Sequence, residues 1–450
     1  FEDLLDGSYM SFGLSDSWCR GMTSDMSDGT NEVYYALFQN DQGQKLYQYA
    51  YNPELPLKPE KELTVYTLYD QATINQAATL FGKKHPDTMV SVHVACADTD
   101  DKEAETQRNR LMTSLAAGDG EDVIVLSGLD DNALAKKGVL MDLSDIVTPM
   151  EENGELLQAI VDGEKAADGK QQILPVRFAL PLLLSKEKRA SEMTDLAALA
   201  KAAEQTDGSL LGTFTGEDLV ETFAPYFMPD IIKDKQLDTE KLRTVLQELQ
   251  TIAAHCDMVE KYKKGERASN EWDLPSAMQA VLCQISGFND AMFDLAIINL
   301  VKGDYTSFEN AYIPTVEIGV NANTKQADLA KEFAAFVMSR EVQDGDFYDG
   351  FPVNKESLHM QVSLDRSDYA AYTTIEGADG QEIGLDIEPI KAADADKLEA
   401  LCDSLSKKTV KDAKVLEELK KSVPDYLLGR QSLDDTISKI QDGVKIYLAE

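Results

Sequence analysis

Apolar and polar positions change their period along this chain, and each change marks an element. Leu63, Val65 and residues 66–68 form an apolar strand. Ile74, Ala77, Ala78 and Phe81 then recur at i, i+3, i+4 and i+7, one face of a helix that Gly82 and Pro86 bring to an end. Val90, Val92 and Val94 alternate as a second strand. Leu111, Met112 and Leu115 close another helix at Gly118, and residues 123–126 are continuously apolar. Strand, helix, strand, helix, strand predicts a parallel sheet covered on both faces. Ligands on such sheets gather in the loops that follow the strands.

Further along, residues 133–137 read as a helix stopped by Gly138, and an apolar strand runs over 173–184. Helices are predicted at 196–203, at 218–223 and through Leu242, Val245, Leu246, Leu249 and Ile252, with Asp238 or Thr239 as N-cap. A strand at 316–320 precedes a helix over 328–338, and the tail from 393 to 448 reads as nearly all helical, broken at Pro424 and Gly429. The first sixty residues differ. Residues 33–38 and 45–51 are aromatic and β-branched runs around a turn-forming Gln39-Asn40-Asp41-Gln42-Gly43, a hairpin signal, while 24–31 reads as a polar loop. A lone hairpin buries too little to stand alone, so it leans on the main body or belongs to a larger β domain. Pro53, Pro56 and Pro59 mark a linker.

Charge narrows the partners. The chain has 450 residues, 43 Lys+Arg against 80 Asp+Glu and a net charge of −37. That field repels polyanions, so nucleic acid is excluded as a partner. With 43% hydrophobic residues the chain still builds a proper core. The longest apolar stretch, 178–184, contains Pro181 and is far short of the about 20 residues that span a bilayer. The chain opens with Phe1 and has no basic-then-apolar leader, which predicts a processed protein or a cut piece. Cys19, Cys96, Cys256, Cys283 and Cys402 are scattered without a CxxC pair, and the four histidines lack HExxH spacing. We therefore expect no disulfide framework, no metal and no cofactor.

Catalytic motifs are missing as well. There is no GxxxxGK[ST], GxGxxG or GxSxG. Asp98-Thr99-Asp100-Asp101 hints at calcium but lacks the glycine and the final glutamate of an EF loop, so it reads as a solvated acidic turn. No paired-acid motif suggests a glycosidase. A non-enzymatic binding protein is the expectation.

Four stretches carry a resemblance. They are residues 63–94, opening with Leu63-Thr64-Val65-Tyr66; 111–143, with Ala117-Gly118-Asp119-Gly120-Glu121-Asp122, where the family usually has proline at the place of Glu121; 312–355, with Gly319-Val320-Asn321-Ala322-Asn323 and Gly350-Phe351-Pro352-Val353-Asn354-Lys355; and 429–450. In this order they resemble the extracellular solute-binding proteins of bacterial ABC importers, the group similar to maltose-binding protein. The resemblance implies a type II periplasmic-binding-protein-like α/β fold of two lobes joined by a hinge, with ligand in the cleft between them and a short N-terminal β-hairpin added. It places lobe 1 at 61–175 plus 314–351, lobe 2 at 176–313 plus 352–450, and the β segment and linker at 1–60. It also implies a monomeric cell-surface lipoprotein, anchored upstream of this chain, that serves a membrane ABC permease.

Small polar ligands, sugars above all, are held by aromatic faces and planar polar groups. By analogy with the family, the loop after the first strand offers Tyr69 and Asp70, and the loop after 123–126 offers Ser127 and Asp130. Asp130 competes as N-cap for the helix that follows. Arg177 and Phe178 lie at a crossing between lobes, with Phe178 equally suited to core. In lobe 2, Trp272, Phe288 and Asn289 are the candidates, Trp272 being one of only two tryptophans. Glu317 is expected to point outward from an alternating strand, and Asn321 and Asn323 to order a turn. The chain is expected to capture a small solute, an oligosaccharide in preference, for ABC-type import. Two alternatives stand beside it: a surface sensor or adhesion protein with the same two-lobe module on an N-terminal β domain, and a carbohydrate-active enzyme.

Overall fold

The computed structural model describes residues 11–25, 33–40, 43–50, 59–97, 101–233, 235–276, 278–364, 371–377 and 381–449. Residues 98–100 of the acidic turn and the linker prolines Pro53 and Pro56 lie outside them. The chain divides into two units, Phe1–Phe178 with Thr315–Gln361 and Ala179–Pro314 with Val362–Glu450. Residues 352–361, assigned above to the second lobe, therefore fall in the first unit.

The first unit opens with three antiparallel strands, β1 (Trp18–Asp25), β2 (Val33–Asn40) and β3 (Gly43–Ala50), in the order β1-β2-β3. The β2–β3 hairpin follows the aromatic pattern, with Leu37 opposite Leu46 and Ala36 opposite Tyr47. β1 adds Ser24 and Asp25 to a strand where a loop was predicted. Its residues are exposed throughout and its pairing is interrupted by an irregularity between Cys19 and Gly21, so no hydrophobic alternation announces it.

The body of this unit follows the alternating pattern. β4 (Lys61–Thr67), α1 (Ala72–Lys84), β5 (Thr88–Val94), α2 (Asp101–Ala116), β6 (Val123–Val125), α3 (Asp131–Lys136), α4 (Ser144–Glu152), α5 (Gln158–Gly163) and β7 (Leu174–Ser185) succeed one another. β4 runs parallel to both β5 and β6, and β6 pairs antiparallel with residues 318–320 of the strand Ala311–Val320. α1 buries Ile74, Ala77, Ala78 and Phe81, the predicted face, and Phe81 meets Phe333 edge-on at 5.4 Å. Across the sheet Leu111 and Leu115 of α2 join Leu68, Ile124 and Leu126 in one core cluster. Each such side chain contributes about 1.5–3 kcal/mol by leaving water.

In the second unit the later part of β7 pairs antiparallel with Ala280–Ile285 and with Asp304–Ser307. Helices Leu196–Ala203, Gly216–Ile231, Thr239–Ala254, Ala413–Leu427 and Leu433–Ala449 enclose a core that includes Phe223, Leu246, Leu419 and Ile440. Asp238 caps Thr239–Ala254 through the Lys241 N–H. Pro424 does not break its helix, which runs on to Leu427. Instead its ring lies against Gly216, where a Cβ would stand 2.7 Å from the Pro424 Cβ, so the missing side chain lets the two helices pack closely. A hairpin the pattern did not disclose, Ala371–Glu376 with Glu382–Ile387, also belongs to this unit. No helix among the described residues is long and apolar enough to cross a membrane.

Candidate functional site

The loops after β4 and β6 meet in the first unit. Gly128 has φ +79°, and a Cβ there would stand 3.0 Å from Leu68 and 3.5 Å from the Tyr69 ring, so the backbone of one loop lies directly against the aromatic residue of the other. Three bonds fix the pair. The Thr67 hydroxyl donates to the Tyr69 carbonyl at 2.5 Å, Arg108 Nε to the Gly128 carbonyl at 2.7 Å, and Ser127 Oγ to the Thr315 carbonyl at 2.7 Å. Tyr69 stays half-buried, and Asp70 is exposed, taking a bond from Asn75 Nδ2 at 2.7 Å. Two parallel neighbouring strands thus end in a polar rim with one aromatic ring. Asp130 is exposed too, and its carboxylate caps α3 by accepting from the Ala133 N–H at 2.9 Å.

Arg177 and Phe178 do not join this rim. Arg177 is fully buried and donates to Thr73 Oγ1 at 3.1 Å and to the carbonyls of Val342, Gly345 and Gly350. Its guanidinium lies 5.0 Å from the centre of the Phe347 ring. Burial lowers it to about 10 while Asp349, Asp346 and Asp344 pull it back. Arg177 therefore ties three segments together and has no donor face turned to solvent. Phe178 is likewise buried, 5.9 Å from Phe351, in the strand pair that Phe351–Pro352 makes with β7. An apolar run could not distinguish such an internal anchor from a ligand contact. Gly350 lies beside them in the same unit: its φ is +136°, and a Cβ there would collide with Thr315 Oγ1. That hydroxyl is buried without a hydrogen-bond partner among the described residues.

Glu317 corrects a further expectation. It is buried, and its carboxylate converges with those of Asp131 and Glu164, with one oxygen of each lying within 4.8 Å of the others. Alternation identified the two faces of its strand, but both faces are covered. Asn321 does order a turn, giving its amide to the Glu121 carbonyl at 3.1 Å and accepting from the Asn323 N–H at 3.0 Å.

In the second unit Trp272 sits half-buried on the short turn Glu271–Asp273. Asn270 and Asp273 cap that turn reciprocally, and Arg267 holds Asp273 at 2.7 Å. The indole leans on Phe293, with ring centroids 5.8 Å apart and planes at 52°. Phe288 is buried at the start of the helix Phe288–Val301 and serves as core, whereas Asn289 beside it is half-buried. On the same helix Asp294 is buried, accepts from the Cys283 thiol at 3.5 Å and is pushed up to about 8, by burial first and by Glu271 and Asp290 in lesser part. Phe293 and Asp294 carried no sequence signal, and the helix that bears them was not among those predicted. This arrangement offers aromatic and amide groups, and burial holds the Cys283 thiol beside Asp294 well above its ordinary pKa.

Solved structures with this fold have little sequence in common with the chain. A sugar transporter from Rhizobium etli in an open conformation is 14% identical, covers 85% of this chain and 99% of its own, and superposes with a TM-score of 0.57. An ABC substrate-binding protein from Listeria monocytogenes in complex with cycloalternan is 15% identical over 87% and 99% of the two chains, with a TM-score of 0.53. The maltose/maltodextrin-binding domain from Bdellovibrio bacteriovorus bound to maltotriose is 12% identical over 86% and 100%, with a TM-score of 0.50. No curated protein matches the chain. At these identities the structures speak for the fold alone. The sequence family described as bacterial extracellular solute-binding protein, however, matches residues 67–344, from the last residue of β4 to the loop before Gly350. Since that match spans more than half of the chain, the chain belongs to the bacterial extracellular solute-binding protein family.

Proposed function

We propose that this protein captures a small neutral solute, an oligosaccharide in preference, for ABC-type import and does no chemistry on it. One observation carries the reading: in a chain of this family, the two loops that meet at Tyr69 and Gly128 form a polar rim with an aromatic face at the ends of parallel strands. Tyr69, Asp70 and Ser127 are the contacts we assign to the first unit, and Trp272 and Asn289 those of the second. The cycloalternan and maltotriose held by two of the similar structures support a sugar as the class to try first. The net charge of −37 disfavours acidic solutes. The partner in this reading is a membrane permease, with the protein held at the cell surface as a lipid-anchored monomer.

A thermal-shift screen over maltotriose, cycloalternan, other glucans, peptides and polyamines tests it, since a ligand bound only by the folded form raises the melting temperature. A sugar hit that is recovered uncleaved after prolonged incubation supports the proposal. A hit confined to peptides or polyamines, or cleavage of the sugar, sinks it.

A second reading, a surface sensor or adhesion protein, draws on the N-terminal sheet, where Trp18, Met22 and Leu46 are all more than half exposed. It predicts that a variant lacking residues 1–58 keeps its solute affinity but loses attachment to a cell surface or matrix. Unchanged attachment by that variant removes this alternative.

A further inference from the structure

Among the described residues, the second strand of the hairpin in the second unit has no ladder partner on its outer edge. Among the described residues Glu382–Ile387 pairs only with Ala371–Glu376, in a two-stranded sheet. The Gly377 N–H donates to the Gln381 carbonyl at 2.8 Å, which sets the alternation of the ladder. By that alternation the backbone groups of Glu382, Gly384 and Asp386 point away from the partner strand. The edge carries neither lysine nor proline, residues that commonly guard exposed edges.

A cavity of about 290 Å³ lies along this edge, and Gly384, Leu385 and Asp386 line it. Its opposite wall is one face of the helix Phe288–Val301, made by Met292, Leu295, Ala296, Asn299 and Leu300 at spacings of three and four. Asp386, Glu388 and Asp394 bring negative charge to the lining. The single cation there among the described residues, Lys391, is engaged with Glu388 at 3.4 Å. Tyr372, 68% exposed, lies across Gly384, where a Cβ would stand 2.6 Å from the Tyr372 hydroxyl. A trough with one largely apolar wall, an open ladder and an excess of carboxylates are thus combined in one place.

We propose that this edge docks an extended, basic segment of a partner protein, which adds to the hairpin as a third strand. Main-chain bonds to Gly384 and Asp386 supply the register, apolar side chains enter the trough, and a lysine or arginine answers Asp386 and Asp394. The contact is small, so it is a transient interaction.

The test titrates the full chain against a fluorescein-labelled, end-blocked peptide, Thr-Val-Arg-Val-Lys-Val-Thr, by fluorescence anisotropy at low salt. Saturable binding is expected, weakened about tenfold or more by Asp386→Lys, by Glu388→Lys in the loop outside the hairpin, and by N-methylation of alternate peptide amides. Melting temperatures equal to that of the wild type establish that both variants are folded. Four outcomes overturn the proposal: no saturable binding, equal binding of a peptide with glutamate at both basic positions, indifference to both charge reversals, or full competition by butylamine, which would make the cavity a pocket for small cations.

Discussion

Arg177 and Thr73 lie 104 positions apart and are joined by a 3.1 Å hydrogen bond from Nε to Oγ1, at the point where Thr73 is itself held by Asp349. Asp349 accepts from both the Thr73 N–H at 2.7 Å and its hydroxyl at 2.8 Å, satisfying the start of α1 from a distant loop. The residues just before that helix are Tyr69, Asp70 and Gln71, so this network supports from behind the loop proposed to hold solute. Removing the guanidinium strands the carbonyls of Val342, Gly345 and Gly350. Arg177→Met is expected to cost about 3–5 kcal/mol of stability, measured by urea unfolding. A loss below about 1 kcal/mol would return Arg177 to the list of surface contacts.

Gly350 and Thr315 make a second testable pair. Gly350→Ala sets a Cβ against the Thr315 hydroxyl at a φ of +136°, and a cost of about 1–3 kcal/mol is expected. Thr315→Ala alone should be close to neutral, since its hydroxyl makes no hydrogen bond among the described residues. Combined, the two substitutions should cost less than their sum, and a double-mutant cycle reads the coupling. Strict additivity would place the strain of Gly350→Ala in the backbone and in Phe178 instead.

Asp294 predicts a pH dependence. Its folded pKa of about 8 lies above the ordinary carboxylate value, so between the two the folded protein holds a proton that the unfolded chain has released. Its contribution is fully present below the unfolded value and is lost as pH rises towards 8, amounting to a few kcal/mol at about 1.4 kcal/mol per pH unit. Asp294→Asn, which is neutral throughout, should flatten the fall in stability between pH 5 and 8. Parallel profiles for the two proteins would show that Asp294 is ionised in the fold.

Trp272 tests the share of solute binding proposed for the second unit. Its ring is half-buried against Phe293, and Trp272→Ala should weaken a confirmed sugar ligand by about tenfold or more, because stacking on an aromatic face is lost. Calorimetry gives the affinity and a melting curve the fold. An unchanged affinity assigns the indole to packing.

Local pattern carried the architecture far. The buried face of α1 was legible because a helix repeats every 3.6 residues, and the order β4, α1, β5, α2, β6 because each element announces its own period. The β1 strand was not legible: its residues face water, and only pairing with β2 makes them a strand. The Ala371–Glu376 hairpin escaped notice for a like reason, with four of the six residues on its first strand at least partly exposed and polar.

The candidate site divides along the same line. The loops that carry Tyr69 and Ser127 could be placed because loops after parallel strands are set by the chain order, the choice of these residues coming from the family resemblance, and the Asp130 cap because a cap acts over three residues. Period and order are short-range properties of the chain, so fold class and loop positions could be read from it directly. Whether Arg177, Phe178 and Glu317 face solvent or interior depends on what arrives from residues more than a hundred positions away. Burial and the pairing of charges belong to contacts of that kind, and only the assembled chain decides them.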